Sequence, residues 1–199
     1  VTGMTILNNF TSVFGADAVA AIGITQKIYM VPMYISMGIS QGIMPLVSYN
    51  YASGNQKRMK AAIVFAGEIS IGFITTAAVF FYFGAEGVVQ FFMDNPSIIA
   101  YGIRFMRGFC LGLPFLCMDF LAVGVFQALG YGKNALVFAI MRKIVLEIPA
   151  LYLLNYLFPL YGLAYAQFVA EFVLAIAAVV QLLLIFRKLG KKQVYIEDV

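Results

Sequence analysis

Along the chain, apolar residues gather in runs of twenty or more, separated by short polar breaks. A helix needs about 20 residues to cross roughly 30 Å of hydrocarbon, so the runs predict membrane-spanning helices. Residues 1–14 are read as the tail of a helix that starts upstream. Five full spans follow at residues 18–49, 61–84, 98–129, 134–158 and 163–186, and residues 187–199 form a basic tail. The 18–49 segment is long enough, at about 1.5 Å per residue, to project from the hydrocarbon or to bend, with Pro32 as the candidate bend. The stretch "AEGVVQFFMDNPS" is too short to cross, and its Val88, Val89, Phe91 and Phe92 are placed on the interface. A β-barrel would need segments of about ten residues alternating apolar and polar, and no segment alternates that way. The predicted fold is an all-α integral membrane protein, a single transmembrane lobe of one partial and five full spans.

Composition strengthens this reading. The 199 residues are 63% hydrophobic and only 11% charged, with a mean hydropathy of +0.93, outside the usual range of soluble domains. The net charge of +4 carries topology rather than nucleic-acid affinity, because its basic residues sit in breaks between spans. Lys57, Arg58 and Lys60, then Lys133, then Arg187, Lys188, Lys191 and Lys192 fall in every second break, while the alternate breaks hold none. By the positive-inside rule that side, with the C-terminus, is cytoplasmic, and the host is the plasma membrane. Arg104 and Arg107, several residues inside the 98–129 segment, depart from the pattern.

The chain has no histidine and no Cys-x-x-Cys, and Cys110 and Cys117 lie two turns apart on one helical face, too far for a disulfide. No Gly-rich run leads into Lys-Ser or Lys-Thr, so no phosphate loop is present. Enzymatic and ATP-driven chemistry are not expected, nor is an organic cofactor.

Charges inside spans then become the candidates, since a mid-bilayer charge costs about 2.5–3.5 kcal/mol on insertion scales. Asp119 lies eleven residues beyond Gly108, where its apolar run begins, and so about 16 Å into the run. A carboxylate in low dielectric takes up a proton or recruits a cation, so Asp119 is the expected cation or Na+ site; the alternative is a structural pair with a neighbouring helix. Glu68, Glu147 and Glu171, with Gln41, are candidates for a polar cavity. Glu147 follows Lys143 by four residues and can pair with it. Arg142 and Lys143 are expected at a helix end standing in cytoplasmic water or a water-filled cavity, and Lys27 at the outer interface.

Gln26, Met30, Met33, Met37, Gln41 and Met44 recur at spacings of three and four, on one helical stripe. Such a stripe is either helix packing or an adaptable surface for ligands of varied shape, to which methionine is suited.

"FGADAVAAIGITQKI", "GISQGIMPLVSYNYASGNQKRMK" and "FQALGYGKNALVFAIMRKIVLEIPALYLL" resemble, in that order, the seventh-to-eighth helix turn, the loop after the eighth helix and the tenth-to-eleventh connection of multidrug and toxic compound extrusion (MATE) transporters. "LCMDFLAVGVFQALG" is similar to the tenth-helix segment whose carboxylate takes part in cation coupling in NorM-type members, and Asp119 is its match. Ala52 stands where many members have glycine. The resemblance implies the C-terminal six-helix lobe of a twelve-helix antiporter that exports cationic or amphipathic drugs in exchange for Na+ or H+. Its partners would be drug-like substrates, the coupling ion, the bilayer and an N-terminal lobe. One rival is a lipid-linked oligosaccharide flippase, which needs a basic cavity for which Lys27, Arg104, Arg107 and Arg142 are the candidates. Another is a structural subunit without transport, which would be favoured if Asp119 packed dry against a basic side chain.

Overall fold

The computed structural model describes the backbone of residues 2–197 and the side chains of residues 5–189. All regular structure among the described residues is helical: α1 (Thr2–Ser12), α2 (Ala16–Ala52), α3 (Gln56–Phe83), α4 (Ala85–Gln90), α5 (Pro96–Ala128), α6 (Gly132–Ile140), a π-helical stretch (Met141–Glu147), α7 (Ile148–Leu157) and α8 (Gly162–Glu197). Local chemistry sets the ends. Gly15 and Gly130 turn the chain at φ of 102° and 79°, where a Cβ would be strained. Asn55 and Asn95 cap α3 and α5 by accepting from the Arg58 and Ser97 amides at 3.1 and 2.9 Å, and Pro96 opens α5 where its missing N–H costs nothing.

Four helices are long and apolar enough to cross a membrane: α2, α3, α5 and the Gly162–Leu189 part of α8. The span expected at 134–158 is also helical, but it changes pitch midway. Pro149 stands two residues beyond the end of the π stretch, and a proline has no N–H and crowds the carbonyl four residues back, that of Val145; widening the preceding turn relieves that clash. Helix α2 continues through both Pro32 and Pro45. The structure departs from sequence expectation at two further points. Helix α8 does not stop at Phe186; Leu182, Ile185 and Leu189 keep one buried face going, and Gln56 Nε2 donates to the Leu189 carbonyl at 3.0 Å. Val89 turns inward, fully buried against Gly102, and leaves Phe91 and Phe92 exposed.

Helix α5 is the axis of the lobe. Its glycines let neighbours approach closely, as small residues do between membrane helices: Gly108 meets Ala164, Gly112 meets Phe168 and Gly124 meets Ser40. Ser40 Oγ donates to the Phe120 carbonyl at 2.6 Å and Ser48 Oγ to the Ala128 carbonyl at 2.9 Å. These contacts keep constant offsets along the chain, so α2, α5 and α8 run parallel in fixed register. The pairing of Gly67 with Leu121 and of Tyr82 with Arg107 makes α3 antiparallel to α5.

The apolar core is split in two. One cluster takes the α5 residues from Ile98 to Cys117, with Ile22, Ile28, Ile74, Leu151 and Leu163; the other takes Ala122 to Leu129 of α5, with Val47, Met59, Ile63, Phe138 and Leu174. On every long helix the residues between the two clusters include a buried polar one: Ser36 and Ser40 on α2, Ser70 on α3, Asp119 on α5, Glu147 in the π stretch and Glu171 on α8. A polar belt about two helical turns thick, roughly 12 Å, therefore crosses the lobe.

Candidate cation site in the polar belt

The middle of α5 is Gly112, so Asp119 lies about 10 Å from the helix centre toward Ala128, rather than at its midpoint. The α5–α8 register puts Asp119 level with Ala175 and one turn from Glu171. Both carboxylates are nearly sealed in the lobe, with Asp119 2% and Glu171 1% exposed. Between them comes a guanidinium. Arg142 Nη1 donates to Asp119 Oδ2 at 3.1 Å, and Arg142 Nε stands 3.8 Å from Glu171 Oε1. The guanidinium also lies 4.7 Å from the centre of the Phe120 ring, whose face favours a cation.

Arg142 and Lys143, expected at a helix end in cytoplasmic water or a water-filled cavity, are not at a helix end. The helix continues through them, and only Lys143 reaches outward, with its side chain 51% exposed against 15% for Arg142. Lys143 Nζ donates to both oxygens of Glu147 at 2.9 and 2.6 Å, the pair that the four-residue spacing predicts. Glu147 is thus neutralised locally.

The charge count that remains decides what the belt can do. Asp119 and Glu171 bring two carboxyl groups against the one guanidinium of Arg142, so ionising both leaves one negative charge uncompensated. The geometry shows the same deficit, because Asp119 Oδ1 and Glu171 Oε2 are buried without a hydrogen-bond partner, and so is Ser36 Oγ in the same belt. Buried polar atoms are nearly always satisfied, since an unmet one costs about 1–3 kcal/mol. Two of the unmet oxygens belong to the carboxyl groups that share Arg142, and the third is the Ser36 hydroxyl on α2. One turn farther along α8, Gln167 Nε2 donates to the Tyr29 hydroxyl at 2.7 Å, and Tyr29 packs against the Phe109 ring, extending the polar file toward the N-terminal end of α5.

The other sequence candidates lie outside this cluster. Glu68 and Gln41 are exposed. Of the α2 stripe, Gln26, Met30, Met33 and Met44 are half-buried, and Met37 is 39% exposed. The stripe runs beside the face formed by Ala18, Ile22, Thr25, Tyr29, Ser36 and Ser40, which α2 buries in the lobe. It is a helix edge, not core. Sequence reasoning missed Tyr29 and Gln167 as site residues, and named Arg142 only for the basic cavity of a flippase, not as the partner of Asp119. A signal for Arg142 was present, because Asp119 and Arg142 stand about equally far from the "GYG" turn on consecutive antiparallel helices, which places them at one depth.

Comparison with known proteins agrees with this architecture. The model of the MatE family matches residues 1–153. The multidrug export protein MepA of Staphylococcus haemolyticus is 35% identical over 179 residues, 89% of this chain and 39% of MepA. That of Staphylococcus saprophyticus is 32% identical over the same shares. Among solved structures, a MATE in complex with MaL6 superposes with a TM-score of 0.88 at 19% identity, covering 96% of this chain and 44% of that one. The bent form of the Vibrio cholerae MATE transporter VcmN gives 0.87 at 17%, covering 95% and 43%. The chain thus spans about two-fifths of the length of these relatives. With a family model matched over most of its length and the helical lobe of solved MATE structures, this chain belongs to the MatE family of multidrug efflux transporters.

Proposed function

We propose that this chain is one lobe of a secondary antiporter that exports cationic or amphipathic drugs in exchange for Na+ or H+, and that the coupling cation binds in the belt at Asp119 and Glu171. The observation that carries the reading is the excess negative charge: two buried carboxylates share one guanidinium, and each keeps an unmet oxygen. Arg142 then acts as a tethered cation that holds the carboxylates together when the site is empty. Loading by a free cation offsets the remaining charge, and exchange follows if that loading has a different free energy in the two access states. The relatives named MepA are multidrug export proteins, and drug-like substrates are carried over from them as part of this proposal. The breaks rich in Lys and Arg, and with them the C-terminus, face the cytoplasm of a plasma-membrane protein, and a second lobe completes the central cavity. The stripe from Gln26 to Met44, open along the edge of α2, is the surface proposed to meet the drug.

One observation favours a second reading. Asp119 is packed against a basic side chain, as a subunit without transport of its own would have it. Arg142, however, leaves Glu171 without full compensation, which a purely structural ion pair does not need. The flippase reading finds less support, because Arg142 is engaged by carboxylates while Arg104 and Arg107 stack on Tyr161 and Tyr82.

The test uses the full-length transporter in proteoliposomes, with efflux of a cationic dye followed under an imposed pH or Na+ gradient. Wild type should move dye with one of the two gradients. Asp119→Asn and Glu171→Gln should still bind dye but lose the response to the gradient. Gradient-driven efflux that survives in both variants at normal expression removes the coupling role, and a wild type that neither binds nor moves dye supports the structural subunit.

A further inference from the structure

Two arginines disobey the charge pattern of the breaks, and the structure gives them neighbours that explain it. Arg104 and Arg107 are one turn apart on α5, exposed, and each lies over a tyrosine: Arg104 4.8 Å from the centre of the Tyr161 ring and Arg107 5.5 Å from that of Tyr82. Neither makes an ion pair among the described residues. Of the acids at this end of the lobe, Glu86 and Asp94 line a separate cavity around the first turns of α5, and Asp17 stands in the first turn of α2.

One turn from Arg107 a groove of about 420 Å³ opens on the exposed side of α3 and α5, lined by Ala78, Val79, Tyr82, Leu111, Pro114 and Phe168 among others. Tyr82 belongs both to the groove and to the Arg107 stack, so the guanidinium stands at the groove's mouth. Depth agrees with this. Arg107 and Arg104 lie five and eight residues from Gly112, about 8 and 12 Å from the middle of α5, and helical side chains lean toward the N-terminus. With the middle of α5 set at the bilayer midplane, their heads come to the edge of a hydrocarbon core about 15 Å deep per leaflet, where phosphates begin.

We infer that this groove is a binding site for an anionic phospholipid of the leaflet opposite the basic breaks, its phosphate held by Arg104 and Arg107 and one acyl chain laid in the groove. A guanidinium forks onto phosphate oxygens, and an apolar slot open to the bilayer excludes a hydrated occupant. The lipid is bound in place rather than carried. This site is independent of the polar belt and of the coupling proposal.

The experiment places the full-length transporter in phosphatidylcholine nanodiscs with phosphatidylglycerol bearing a diazirine acyl chain, followed by peptide mapping. Crosslinks should concentrate in residues 75–83 and 110–115. They should fall about tenfold in the Arg104→Gln/Arg107→Gln double variant, the order expected from losing a charge-assisted contact. Leu111→Trp, which fills the groove and keeps both charges, should lower them as well, and a diacylglycerol with the same diazirine chain but no phosphate should label weakly. The inference is overturned if the double variant and Leu111→Trp label like wild type, if the diacylglycerol labels as strongly, or if these segments stay unlabelled because the rest of the transporter covers them.

Discussion

Replacing Arg142 by methionine tests the charge count of the belt most directly. Methionine keeps much of the length and the packing on Phe120 but leaves Asp119 and Glu171 with no positive charge, at 2% and 1% exposure. At 3.1 and 3.8 Å, each contact with the guanidinium is of the order of 4 kcal/mol at an effective dielectric constant near 20, before desolvation is counted. Stranding a buried partner of an ion pair costs about 3–5 kcal/mol net. On the scale of about 2–4 °C per kcal/mol for a domain of this size, the melting temperature should fall by roughly 6–20 °C. Asp119→Asn has the opposite charge effect. It leaves one carboxylate to one guanidinium, and the Asn carbonyl can still accept from Arg142, so stability should stay within about 1 kcal/mol of wild type. The double variant Arg142→Met/Asp119→Asn returns the belt to one excess negative charge and should melt between the two. Purified full-length variants compared by thermal unfolding in one detergent give the order. An Arg142→Met variant as stable as wild type, or an Asp119→Asn variant that falls as far as Arg142→Met, would refute the assignment of a net negative belt.

Two smaller changes probe the scaffold and the selectivity of the site. Gly124→Ala puts a methyl group into Ser40, whose hydroxyl bonds the Phe120 carbonyl at 2.6 Å, so α2 and α5 must separate; the expected loss is about 1–3 kcal/mol, read as a lower melting temperature with Ser40→Ala as partial relief. Glu68→Gln alters an exposed carboxylate outside the belt and should leave gradient-driven dye efflux and melting temperature near wild type, so a large drop in either would mean that the site extends beyond α5, α8 and the π stretch.

The helices were legible because the bilayer imposes a length and an apolarity that composition cannot disguise, and Asp119 stood out because a carboxylate within such a run is costly. Arg142 was misread for a physical reason. A basic residue near the start of a span ordinarily snorkels to water, and its spacing from the preceding break fits that reading as well as burial. What decides between them is the partner, and the partner lies on another helix. The sequence marks Glu171 as a candidate for a polar cavity but not its depth of burial, which comes from the packing of Gly108 on Ala164 and of Gly112 on Phe168 that draws α8 against α5. The π stretch had only an indirect signal in Pro149, which predicts a disturbance of the helix without fixing its form.

The division of the core suggests why the polar belt can serve a moving protein. Above and below it, α5 is locked by close contacts of glycine, alanine and large apolar side chains, and such packing resists gradual deformation. Within it, the helices meet through serine hydroxyls, carboxylates and one long flexible guanidinium, whose geometry at 3.1 Å to one acid and 3.8 Å to the other is already unequal. On the coupling role proposed above, a cation arriving at the unmet oxygens of Asp119 or Glu171 would change which acid holds Arg142 more tightly. Arg142 sits in the helix widened just before Pro149, so a rotation of the π turn is the movement that such an exchange would ask for. The charge deficit and the weakened helix thus occupy the same layer of the lobe, which is where a local binding event can be converted into relative motion of α5, the π stretch and α8.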